Sequence, residues 1–169
     1  MSVERIVLGI DPGTATLGYG VVAIEQGALR SLGCGALTTP PGLPAPWRLR
    51  HLYEGLRDVI ARFGPTDVAV EQLFFSRNVT TAIAVGQARG VALLAAAQAN
   101  LPVAEYSPPQ VKQAVTGDGR ADKERVQEMV RLLLGLERRP EPDDAADALA
   151  LAICHAHSGP FRARVAASR

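Results

Sequence analysis

Residues Arg5 to Ile10 (RIVLGI) form an apolar, β-branched run that is cut off at once by Asp11-Pro12-Gly13. Such a run reads as a strand stopped by strong turn chemistry, which leaves Asp11 at its carboxyl end. Leu17 to Ile24 reads as a second strand, and Glu25-Gln26-Gly27 as a short turn into a third, Ala28 to Thr38. Beyond the proline-rich stretch Pro40 to Pro46, the apolar residues Trp47, Leu49, Leu52, Leu56, Val59, Ile60 and Phe63 recur at helical spacing. Asp67 to Glu71 (DVAVE) is then a short buried strand ending on a charge. An Ala-rich helix from Asn78 to Ala99 and a fifth strand from Pro102 to Tyr106 follow. Helices over Pro108–Val115 and Asp122–Leu134 come next, and a last one runs from near Pro142 to about His157, with Gly159-Pro160 expected to stop it. Three strands in a row, then strands alternating with helices, predict an α/β fold with a five-stranded mixed sheet covered by helices on both faces.

Composition bounds the rest. At 169 residues, 47% hydrophobic and 21% charged, the chain can bury a core without a disulfide framework or a structural metal. One domain over residues 1–158 is expected, followed by a basic, flexible tail over 159–169. The first apolar run is far shorter than the roughly 20 residues of a membrane helix and lacks the form of a secretory signal, so a cytoplasmic protein without a membrane partner is expected. Cys34 and Cys154 are read as plain buried thiols of a reducing compartment. The net charge is only +1, so any nucleic-acid surface has to come from local clusters of Lys and Arg. The helix from Asn78 to Ala99 is apolar almost all round, which means that the core wraps it or a second subunit covers its outer face.

Four carboxylates stand at the ends of different elements: Asp11, Glu71, and the pair Asp144 and Asp147, which share one face of the last helix. A pair of hard divalent cations needs several oxygen ligands arriving from separate scaffold elements, since one short segment cannot surround both. Two such ions about 3.5 to 4 Å apart can activate a water and stabilise a leaving oxygen in phosphodiester cleavage. Some of these residues also have a purely structural reading: Asp11 fits a turn, and Asp143 and Asp144 fit favourable charges at a helix N-terminus. Glu71 fits one less well, because it lies where a buried strand emerges, and ligands gather at such carboxyl ends. Asp147, within the apolar run Ala145 to Ala152, needs a partner or a metal.

GIDPGTATLGYGVV at 9–22, VEQLFFSRN at 70–78, GQARGVALLAAA at 86–97, YSPPQVKQAVTGDGRADKERVQEMV at 106–130 and DAADALALAICHAH at 144–157 resemble, in order and spacing, the RuvC Holliday junction resolvases. The resemblance covers nearly the whole chain. It implies a ribonuclease-H-like fold, a homodimer, Mg2+ or Mn2+ with two ions per active site, and paired symmetric nicks in four-way junction DNA during recombination and repair. Residue by residue it assigns Asp11, Glu71, Asp144 and Asp147 as metal ligands, with Asp143 the competitor for the place of Asp144. Lys112 and Lys123 match family lysines near the scissile phosphate, and Phe74 an aromatic residue that stacks on junction bases. A branch-migration helicase complex is the partner that family membership suggests.

Residue chemistry adds Arg77, Arg89, Arg120 and Arg125 to Lys112 and Lys123 as candidate phosphate contacts. Cys154, His155 and His157 have no common zinc spacing, and His155 is eleven residues from Asp144, about 16 Å along a helix, so they are read as structural or as favourable cations at a helix end. Three other functions compete. GIDPGT also resembles the phosphate loop of actin-type ATPases, which need two lobes; a module could recognise junctions by shape alone; and a general ribonuclease H would cut RNA–DNA hybrids.

Overall fold

A computed structural model describes the backbone of residues 3–72 and 78–167, with side chains as far as Ser158. Its elements, in order, are β1 (Arg5–Asp11), β2 (Thr16–Glu25), β3 (Ala28–Thr38), α1 (Ala45–Phe63) and β4 (Asp67–Glu71). They continue with α2 (Val79–Gln98), β5 (Val103–Tyr106), α3 (Pro108–Thr116), α4 (Lys123–Leu133) and α5 (Asp143–Ala167). The five strands make one mixed sheet in the order β3-β2-β1-β4-β5. β1, β2 and β3 pair antiparallel, while β4 lies parallel to both β1 and β5. The β2–β3 turn is tight because Gln26 and Gly27 both take positive φ, the twist that joins neighbouring antiparallel strands best.

Strand alternation sorts the core into two layers. Leu8 and Ile10 of β1, Leu17 and Val21 of β2 and Val68 and Val70 of β4 point to one face, where Leu52 and Leu56 of α1 and Ala88 and Ala92 of α2 meet them. Val7, Val22 and Ala69 point to the other, under α3, α4 and α5. Helices thus cover both faces, as expected. α1 stops at Gly64, a left-handed C-cap whose N–H bonds the Ile60 carbonyl. α2 begins at Asn78, whose side chain accepts from the Thr81 N–H.

The helix that the chain itself wraps is α5, where Ala145, Ala148, Leu149, Ala152 and Ile153 are fully buried. α2 is apolar and long enough to cross a membrane by length and composition alone. Here it seats one face on the sheet through Ala88, Ala92, Ala95 and Ala96, while Val79, Ile83 and Leu94 stand exposed. One expectation changes at Gly159-Pro160, which does not stop α5: helical backbone continues to Ala167. Proline forfeits one helix hydrogen bond, but its fixed φ is itself helical. The buried turns before it hold the direction of the chain.

α5 lies unusually close to the sheet because the strands beneath it present glycine. A Cβ on Gly9 would sit 2.9 Å from the Ala152 nitrogen and nearer still to the Ala148 carbonyl oxygen. One on Gly18 would sit 2.9 Å from the Asp144 Cβ and nearer still to the Asp144 carbonyl. Both contacts are backbone to backbone, so no side-chain rotation could relieve them. Gly20 opposes Leu149 in the same way.

Candidate active site

Asp11 follows Gly9 and Val7 by alternation and so points to the α5 side of the sheet; Glu71 follows Ala69 on the neighbouring parallel strand. α5 starts over these two strand ends, and the glycine floor lets its first turns descend onto them. As a result, ligand oxygens of Asp11, Asp144 and Asp147 lie within 4.8 Å of one another, the one such acidic group among the described residues. Glu71 stands outside that trio but within its field, since it acts electrostatically on Asp11 and is itself acted on by Asp147.

The electrostatics of the cluster follow from burial and crowding. Burial, then the charges of Asp147, Glu71 and Asp144, push the Asp11 carboxyl up to about 8. Burial and Asp147 also push Glu71 up. Asp147 is raised mainly by burial, against the pull of Lys123. A buried carboxylate crowded by others, as Asp11 is, favours a proton over bare negative charge, and a bound cation can take the place of that proton.

Asp143 and Asp144 are separated by the structure. Asp143 turns outward, where its Oδ2 lies 3.2 Å from Lys123 Nζ and its Oδ1 accepts from Gln127 Nε2 at 3.0 Å. The Lys123 hydrogen bond, then that of Gln127, holds Asp143 below the usual carboxylate range. Asp144 faces Asp11 and Asp147. Lys123 is also 3.8 Å from Asp147 Oδ2, and its own pKa is raised, first by Asp143.

Lys112 and Lys123 come from two different helices to the same opening. The α3 capping box, Ser107 with Gln110, fixes the start of the helix that carries Lys112. Asp122 caps α4 by accepting from the Arg125 N–H at 2.8 Å, which sets Lys123 in its first turn. Between the lysines lies a cavity of about 240 Å³, bordered by Glu71 and Asp147 and walled by Val111, Val126, Ala150 and Leu151. Arg120 and Arg125 gather at the loop before α4, where Asp118 takes the Arg120 N–H at 2.9 Å and Arg125 Nη1 at 3.5 Å. Arg89 lies across the sheet, on α2, where it pairs with Glu105 and its Nε donates to the Glu71 carbonyl at 3.5 Å. Phe74 and Arg77 lie outside the described residues.

Cys34 and Cys154 are free thiols, Cys34 half-buried and Cys154 buried. His155 is structural, as expected: Nδ1 meets the Tyr106 hydroxyl at 2.7 Å and Nε2 meets Arg5 Nη2 at 3.0 Å. The residues that pattern reading passed over are Gly9, Gly18 and Gly20. Their signal was present, because glycine at alternate strand positions marks close approach of another backbone.

A family model, Crossover junction endodeoxyribonuclease RuvC, matches residues 7–155. The chain is 63% identical to the protein of that name from Chloroflexus aggregans over 161 residues, 95% of this chain and 98% of the other. It is 61% identical to the one from Rubrobacter xylanophilus over 155 residues, 92% and 87% of the two chains. The solved Thermus thermophilus RuvC structure superposes with a TM-score of 0.86 at 44% identity, covering 93% of this chain and 96% of that one. The same protein in complex with Holliday junction substrate gives 0.84 at 43% identity, covering 92% and 96%. The yeast mitochondrial resolvase Ydc2, 17% identical with a TM-score of 0.62, shares the fold. With the motifs in order, the ribonuclease-H-like sheet beneath α5 and a match over nearly its whole length, this chain belongs to the RuvC family.

Proposed function

We propose that this protein is a metal-dependent endodeoxyribonuclease that resolves four-way DNA junctions by paired symmetric nicks, in recombination and repair. The observation that carries the reading is the convergence of Asp11, Asp144 and Asp147, with Glu71 beside them, at the mouth of a groove flanked by Lys112 and Lys123. Family membership supplies the substrate class, because the superposable Thermus protein was solved with Holliday junction DNA.

Asp11, Glu71, Asp144 and Asp147 are the ligands for Mg2+ or Mn2+. The donor set fits: all are carboxylates, they arrive from three elements, and burial makes their shared negative charge costly without cations. Two bound ions would activate water and stabilise the leaving oxygen. The chain's own residues do the rest. Lys112 and Lys123 draw the scissile phosphate towards the carboxylates and offset its charge, and Lys123 is held at the rim by Asp143. Arg120 and Arg125 extend the positive border along the DNA backbone, and Phe74 and Arg77 complete the contact beyond the described residues. A homodimer presents two such sites to a two-fold junction. The protein works in the cytoplasm, on junctions presented by a branch-migration complex.

Nicking of a synthetic four-way junction with Mg2+ or Mn2+, abolished by chelation and restored by the metal, is the expected result. Junction binding without cleavage in either metal would reduce the protein to a shape-recognition module.

A further inference from the structure

Glu71, like Asp11, ends its strand with a pairing partner on one side only. The β1–β4 ladder ends at Ile10 and Val70, so Glu71 lies one residue beyond its last partner on that side. On the other side β5, the edge strand, pairs Glu71 with Tyr106, and the Gln72 N–H bonds the Tyr106 carbonyl at 2.9 Å. The remaining tie comes from behind the sheet. Arg89 of α2 donates through Nε to the Glu71 carbonyl at 3.5 Å, and its Nη2 is engaged by Glu105 of β5. Its side chain is only 17% exposed.

We propose that Arg89 is a positioning residue for the metal site, clamping the carboxyl end of β4 to β5 so that the Glu71 carboxylate stays aimed at Asp11 and Asp147. The inference rests on the metal-site reading above. Arg89 acts through the backbone, since its contact is with the Glu71 carbonyl and its charge is paired with Glu105. The clamp also needs arginine: a planar fork can hold a carboxylate and a carbonyl together, whereas the single ammonium of lysine, on its flexible stem, does so poorly. The role differs from a phosphate contact, because a guanidinium committed to Glu105 on the α2 face cannot at once hold DNA on the α5 face.

Manganese binding to the full-length protein without DNA, followed by the electron paramagnetic resonance of free Mn2+, tests the clamp. Replacing a group that orients a metal ligand costs about 10- to 100-fold in metal affinity. Arg89→Ala is expected in that range, with Arg89→Lys and Glu105→Gln weakened less. Circular dichroism and thermal unfolding identify any variant that fails to fold, and the two milder changes then carry the test. Junction binding by the same variants should keep the salt dependence of the unsubstituted protein. A slope lowered by about one would make Arg89 a phosphate contact and overturn the proposal, as would unchanged Mn2+ affinity in all three. If the unsubstituted protein itself binds no Mn2+ in a manner lost with Asp147→Asn, it is the metal-site reading that fails.

Discussion

Asp11 shows what the cluster costs when no cation offsets it. Its folded pKa of about 8 lies above the ordinary 3.8, so the folded protein keeps a proton that the unfolded chain releases. Stability from that proton is full below about pH 4 and is lost as pH rises towards 8. Glu71 and Asp147 are shifted in the same direction. The lowered carboxylates, Asp67 and Glu128 among them, act in the opposite sense, but their contribution is gained mainly around and below the ordinary carboxylate range and changes little between about pH 5 and pH 8. Metal-free protein should therefore melt at a lower temperature at pH 8 than at pH 5, each kcal/mol lost being worth about 2 to 4 °C at this size. Added Mg2+ should raise Tm more at pH 8. Thermal unfolding in EDTA and in Mg2+ checks this, and an equal metal increment at both pH values would contradict the shared-charge account. At this scale the sequence located the carboxylates well, because they sit where strands and a helix begin or end. It could not choose between Asp143 and Asp144. Adjacent helical residues point about 100° apart, and the phase of α5 is set by its seat on Gly9, Gly18 and Gly20.

Elements were legible where turn chemistry marks them. β3 and β4 fall on the predicted boundaries, Ala28–Thr38 and Asp67–Glu71, bounded by Gly27 and by Gly64-Pro65. The stop at Gly159-Pro160 misled because a local breaker was weighed without the buried turns before it. The environments of α2 and α5 were hard to separate for a related reason. Both are Ala-rich, and which one is enclosed depends on how close the sheet lets it come. Gly18→Ala tests that closeness, since its methyl would strike the Asp144 backbone. It should destabilise the protein by about 1 to 3 kcal/mol and weaken Mn2+ binding, because α5 must lift where Asp144 leaves it. Chemical denaturation beside metal titration measures both. Unchanged stability and metal affinity would show that the floor tolerates the methyl.

At the scale of the whole molecule, the exposed apolar residues Val79, Ile83 and Leu94 of α2 have no cover within the described chain. A second subunit seated there would bury them and supply the second active site that paired nicking requires. Ile83→Asp should convert a dimer into a monomer in sedimentation, with cleavage limited to single nicks. An unsubstituted protein that sediments as a monomer with junction bound would remove this face from the account. The central claim is that the carboxylates serve catalysis and not the fold or the grip on DNA. The direct measurement is cleavage of a synthetic four-way junction by Glu71→Gln, with junction affinity and thermal unfolding taken on the same sample. The account predicts a folded protein that binds the junction as tightly as before, or slightly tighter, and does not cut it. A folded Glu71→Gln protein that cuts at the full rate would contradict it.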